Sequence, residues 1–159
     1  MKFTEFKTNV ERWSDERGIY KHSTKEAQLL KGLSELGELA DAIVKNDRDA
    51  LKDAIGDVAV CLVNASHMNI SVGSIRRDEP AIAYGYSRAD QIVANLCGFF
   101  AQALDGRDVS YDSAIGLLRS ISEWHDMQFM ECCEAAWLEI KDRKGRMVEG
   151  GAFVKEGET

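Results

Sequence analysis

Two apolar-patterned stretches, "KEAQLLKGLSELGELADAIVK" at 25–45 and "RDALKDAIGDVAVCLVNASHMN" at 48–69, are separated only by Asn46 and Asp47. In the first, Leu29, Leu33, Leu36, Ala40 and Ile43 recur in steps of four, three, four and three, which marks one face of a helix. The second is polar in its first turns and apolar all round from Val58 to Val63, the pattern of a central bundle helix. A break this short makes the two helices antiparallel neighbours. The chain is therefore expected to be all-α, built on a helical hairpin with further helices packed against it. A lone proline, Pro80, and the lack of regularly spaced strand-turn segments agree.

The rest of the chain fits that frame. Residues 2–14 predict a helix that stops near Gly18, and Ser23 or Thr24 can cap the next, with Glu26 close behind. Gly73, Asp78, Pro80 and Gly85 make residues 70–86 a loop. Ser87 can cap a helix through about Leu104, "DGRD" at 105–108 is a turn, and 111–124 and 127–144 read as one or two more helices. Gly145 would end the last, leaving 146–159 as a Gly-rich tail. Residues 1–159 are read as a single domain, a length at which roughly 70% of the unfolded chain's surface is hidden.

Charge and composition narrow the function. Apolar residues make up 45% and charged residues 30%, as in an ordinary globular protein. A net charge of −7 repels a nucleic-acid backbone, whereas a small phosphorylated substrate is compatible if a metal ion offsets the charge. Cys61, Cys97, Cys132 and Cys133 show no CxxC pairing. Cys132 and Cys133 are adjacent, a poor geometry for a mutual disulfide, and Cys61 and Cys97 read as small core residues. "MKFTEFKTNV" lacks an apolar signal region, and no uncharged stretch approaches the roughly 20 residues of a bilayer span. The expectation is a soluble cytoplasmic protein without a membrane partner.

Within the hairpin, Glu35 and Glu38 are three apart on the first helix, and Asp53 and Asp57 four apart on the second. Counted from the break, Glu38 and Asp57 reach similar heights, with Glu35 a turn further out and Asp53 a turn nearer. Four carboxylates can thus converge across one groove. Such charges repel unless a cation holds them, and oxygen-only ligands suit Mg²⁺ or Mn²⁺. This would explain Asp57 at the head of an apolar run, and Gly56 beside it would admit a close approach. ExxE is also common on solvated faces, and acidic residues favour the first turns of a helix, so the pattern alone leaves both site and surface open.

The residues "AQLLKGLSELGELADAIVKND" and "LKDAIGDVAVCLV" resemble the MazG-like nucleoside triphosphate pyrophosphohydrolases, and "EIKDRKGRMVEGGAFVKE" resembles the end of short phage-borne members. The resemblance covers about 12–69 and 131–156. It implies a MazG-like helical bundle, two or more Mg²⁺ per site (Mn²⁺ may substitute), and cleavage between α- and β-phosphates to give monophosphate and pyrophosphate. Carried over, Glu35 and Glu38 match the family's ExxE, and Asp57 matches the Asp of its ExxD. The Glu of that motif falls on Ala54, with Asp53 one residue earlier as the substitute ligand. Glu38 is the residue expected to orient or deprotonate the attacking water, with Glu35, Asp57 and Asp53 as ligands. The family's Asn-x-x-Lys-x-x-(Arg/Lys) falls on Leu138, Lys141 and Lys144, keeping two cations for phosphate and losing the Asn. The resemblance further implies a homodimer or homotetramer and a role in the phage dNTP pool, in the host cytoplasm, with a guanine nucleotide as the first substrate to test. A nucleotide-binding or regulatory module without turnover is the competing class, supported by Ala54 and Leu138; a purely structural bundle is a third.

Other residues carry less. Gln28 and Lys31 precede the glutamates on their side of the helix, and Lys31 is a phosphate candidate that would equally serve as a solvated lysine. Trp13, Tyr20, Trp124 and Trp137 read as core aromatics before base-stacking ones. His22, His67 and His125 lack a zinc spacing. No P-loop and no GxSxG occurs.

Overall fold

A computed structural model describes residues 1–69, 73–149, 151 and 153–157. It contains seven helices among the described residues: α1 (Phe3–Glu16), α2 (Ile19–His22), α3 (Lys25–Lys45), α4 (Arg48–His67), α5 (Ala89–Leu104), α6 (Tyr111–Trp124) and α7 (Phe129–Ile140). A small antiparallel pair, β1 (Gly145–Met147) and β2 (Phe153–Lys155), follows, with Arg146 opposite Val154. The all-α class holds.

Local chemistry fixes the hairpin. Thr24 caps α3 by accepting from the Ala27 N–H at 3.1 Å, and Asp47 caps α4 by accepting from the Ala50 N–H at 3.0 Å. Between the helices Asn46 takes the left-handed conformation, φ 51°, and the Asp47 N–H returns to the Ala42 carbonyl. Helix α4 is the centre of the bundle, packed on α3, α7, α1 and α6. Leu29, Leu36, Leu39, Ile55, Val58 and Leu62 are buried at this centre. Each contributes about 1.5–3 kcal/mol relative to an exposed position.

Four expectations are corrected. The core-facing stripe of α3 runs through Leu29, Gly32, Leu36, Leu39 and Ala42, while Leu33 is exposed; Glu35 shares the buried side. The close approach that Gly56 admits is made by α7 rather than on the carboxylate side: a Cβ there would stand 2.6 Å from the Cys132 carbonyl oxygen. Cys97 is exposed, whereas Cys61, Cys132 and Cys133 are buried, and all four are free thiols. The expected tail carries the β1–β2 hairpin, and Gly145 lies in it because a Cβ would meet the Val154 carbonyl oxygen at 2.2 Å. Two helix starts also differ. Ser87 does not cap α5 directly but bonds the Gln91 side chain, so the helix begins at Ala89, and α7 begins at Phe129. Residues 73–86 contain neither helix nor strand; residues 70–72 of the expected loop, and 150, 152, 158 and 159 of the expected tail, lie outside the described residues. No described helix is long and apolar enough to cross a membrane.

Candidate functional site

A cavity of about 650 Å³ opens where α3 and α4 meet the end of α7 and the β-hairpin. That is within the range of small-molecule sites, ~300–1,000 Å³. Glu35, Glu38, Asp53 and Asp57 all line it. The four carboxylates that the hairpin spacing singled out thus line one cavity. Position 54 faces the core, where Ala54 is buried, while Asp53 is turned to the cavity.

The four carboxylates are not equivalent. Glu35 is 5% exposed and pairs with Lys31, one turn earlier on α3. Burial alone would lower Lys31, but the hydrogen bond and charge of Glu35 outweigh it and hold the ammonium above its ordinary range. Asp57 is half-buried. Burial, then the charges of Glu35, Asp53 and Glu139, push its carboxyl up to about 7, against the opposing pull of Arg143. Asp53 is raised by burial and by Glu139, which lies within hydrogen-bonding reach. Among the described residues Glu38, Asp53 and Asp57 belong to no ion pair.

Glu139, Arg143 and Lys155 also line the cavity and were not singled out in the sequence. Glu139 and Arg143 form an ion pair one turn apart. The Arg143 backbone is held from α1, where Arg17 Nε donates to its carbonyl at 2.9 Å and Arg17 Nη2 donates to the Lys141 carbonyl at 3.3 Å. Lys141 and Lys144 are exposed and absent from the lining, and Leu138 is exposed as well. The end of α7 turns Glu139, Ile140 and Arg143 inward instead. The i, i+4 spacing of Glu139 and Arg143 was the legible signal; the assignment of Lys141 and Lys144 to the family pattern drew attention away from it.

In kind, this donor set fits a hard divalent cation: carboxylate oxygens only, three of the groups in no ion pair among the described residues, and two, Asp53 and Asp57, with proton affinities raised by burial and by neighbouring carboxylates. It is not preassembled, since among the described residues no group of three or more His, Cys, Asp or Glu is gathered closely enough to form a metal cluster.

Residues 23–78 match the family model of the MazG nucleotide pyrophosphohydrolase domain, a span that contains α3, α4 and all four carboxylates. A relative from Haemophilus phage HP1 (strain HP1c1), described as an uncharacterised 18.2 kDa protein of the rep–hol intergenic region, is 38% identical over 61 residues. That alignment spans 38% of this chain and 37% of the relative. No solved structure matches. Glu139, Arg143 and Lys155 stand outside the matched span and complete the same cavity. The hairpin that bears the carboxylates is thus similar to the MazG nucleotide pyrophosphohydrolase domain, and the chain resembles the phage relative over little more than a third of either length.

Proposed function

We propose that the chain is a Mg²⁺-dependent (d)NTP pyrophosphohydrolase that cleaves between the α- and β-phosphates. The observation that carries this reading is the meeting of Glu35, Glu38, Asp53 and Asp57 in one cavity, on the hairpin that matches the MazG domain. Water adds to the α-phosphorus, the bond from that phosphorus to the bridging oxygen breaks, and pyrophosphate leaves with the bond's electron pair.

Glu38, exposed to the cavity and in no described ion pair, orients the attacking water and accepts its proton. Asp53, Asp57 and Glu35 would hold Mg²⁺, or Mn²⁺ in its place. When bound, such a cation draws charge from the phosphoryl oxygens and favours a hydroxide-like nucleophile near neutral pH. Lys31, Arg143 and Lys155 bring positive charge to the same cavity and suit the phosphate chain. Lys141 and Lys144, outside the lining, are assigned no contact.

The test is incubation with Mg²⁺ and each common (d)NTP, guanine nucleotides first, with chromatographic separation of the products. Monophosphate plus pyrophosphate supports the proposal; diphosphate plus phosphate contradicts it. A nucleotide-binding module with weak or no turnover is the second reading, favoured by the spread of the carboxylates. It predicts saturable nucleotide binding with no pyrophosphate. A homodimer or homotetramer is proposed from Leu30 and Leu33, which expose apolar surface on α3 at 57% and 38%. A role in a phage dNTP pool would follow from the activity and from the phage relative.

A further inference from the structure

Arg143 enters the cavity from a stretch that no regular element fixes. Helix α7 ends at Ile140, and the chain then turns, the Arg143 N–H returning to the Ile140 carbonyl at 2.9 Å. The hold comes from α1. Arg17 is the C-cap of that helix, and Gly18 behind it, at φ 72°, turns the chain away. One turn back, the Trp13 ring lies beneath the Arg17 guanidinium, 5.0 Å from ring centroid to Cζ. From this seat Nε donates to the Arg143 carbonyl at 2.9 Å and Nη2 to the Lys141 carbonyl at 3.3 Å. One planar fork thus spans the turn that aims Arg143.

The fork serves placement more than stability. Carbonyls just past a helix end are readily satisfied by water, and the bond to Lys141 is exposed to solvent. Water would leave the two carbonyls free to move relative to α1, whereas the fork ties both to it. The same platform steadies the other cavity cation that lies outside the helical hairpin. The Trp13 ring meets Phe153 of β2 edge-on, with centroids 5.6 Å apart, and β2 carries Lys155 to the cavity. The Glu156 N–H, donating to the Lys144 carbonyl at 2.9 Å, joins that strand to the stretch after Arg143. Arg17 itself is absent from the cavity lining, so any effect it has there passes through these residues.

We propose that Arg17 is a positioning residue: from outside the cavity, it holds the Arg143 side chain where that cation meets the phosphate chain of the substrate. The fork is what matters, and not the charge, so lysine at position 17 cannot replace arginine. The effect on substrate rests on the cavity being a triphosphate site, whereas the hold on Arg143 does not.

The experiment compares the full chain with Arg17→Lys, Arg143→Ala and the double variant. Arg17→Lys keeps the charge and most of the stem, so it should fold as the parent does. In steady-state kinetics on the triphosphate that the parent turns over, Arg17→Lys should raise KM about fivefold with kcat within about twofold, the mark of lost substrate binding. In the Arg143→Ala background the same change should move KM by less than about twofold, because the residue it acts through is gone. A parental KM in Arg17→Lys, a fall in kcat alone, or additive effects in the double variant would overturn the proposal. A second measurement needs neither metal nor turnover. The Arg143 Nε–H signal in ¹H–¹⁵N spectra, assigned by its loss in Arg143→Ala, should show the heteronuclear NOE of an ordered group in the parent and of a mobile one in Arg17→Lys. An equally ordered signal in both would overturn the hold. If the parent releases no pyrophosphate and the signal still loosens in Arg17→Lys, the hydrolase reading fails and the positioning by Arg17 stands. Pyrophosphate release with an Arg143 indifferent to position 17 would do the reverse.

Discussion

Asp57→Asn separates the cost of Asp57 to the fold from its service to the site. In the unfolded chain this carboxyl ionises near 3.8; in the fold, burial and the charges of Glu35, Asp53 and Glu139 raise it to about 7. Between those values the folded protein keeps a proton that the unfolded chain has lost. Metal-free stability therefore falls as pH rises from about 4 to 7, and the full penalty applies above 7. At about 1.4 kcal/mol per pH unit the limit is ~4 kcal/mol. Relaxation and screening around a half-buried group reduce the expected effect to ~2 kcal/mol, still a large share of the 5–15 kcal/mol typical of a domain. Asparagine has nearly the same shape and does not titrate. In EDTA, urea unfolding should show the variant more stable than the parent by ~2 kcal/mol at pH 8 and equal to it at pH 4. Mg²⁺ at pH 8 should then raise the midpoint of the parent by linkage and leave the variant nearly unmoved. A variant less stable than the parent at pH 8, or one that Mg²⁺ stabilises equally, would refute the reasoning.

Four further outcomes are expected. Glu38→Gln should lower kcat at least a hundredfold while leaving the melting temperature within a degree or two, because Glu38 is exposed and in no ion pair among the described residues; full activity would remove it from the mechanism. Arg143→Ala should raise KM for the triphosphate several-fold more than Lys144→Ala does, as only Arg143 lines the cavity; the opposite ranking in steady-state kinetics would restore the assignment read from the sequence. Gly56→Ala should destabilise by ~1–3 kcal/mol in urea unfolding, since its Cβ would press on the α7 backbone at Cys132. Leu33→Glu should shift the mass found by light scattering toward the monomer if α3 carries a subunit contact.

The helical frame was legible because local signals agreed with one another. Thr24, one of the two cap candidates, caps α3, and the bounds of α3 and α6 coincide with the expected helical segments. What escaped the sequence was set by tertiary contact. The step pattern on α3 included Leu33 and left out Leu39, although two leucines on adjoining faces carry the same weight in a periodicity and only the neighbouring helices decide which is covered. Strands of three residues are too short for alternation to register, so β1 and β2 were hidden in a Gly-rich stretch. Lys155 was missed with them: it reaches the cavity by hairpin pairing and not by position along a helix.

The carboxylates show why a site can be more legible than its supports. Spacing on two antiparallel helices is rigid, so two intervals and a loop length placed Glu35, Glu38, Asp53 and Asp57 together before any packing was known. The same geometry bears on position 54. Helix α4 is covered on most of its circumference, and a carboxylate at 54 would enter the core, where Ala54 is 4% exposed. Moving the charge to 53 turns it about 100° toward the cavity, within reach of Glu139 and under the influence of Arg143. Both residues come from α7 and its end, the helix that Gly56 admits against α4. Glycine at 56, alanine at 54 and the acid at 53 thus form one arrangement. Restoring a glutamate at 54 while removing Asp53 should therefore cost stability, through a carboxylate forced into the core, before it changes activity; a double variant that unfolds at the parental urea midpoint would show that α4 can rotate, and that the placement of the fourth carboxylate is not fixed by α7.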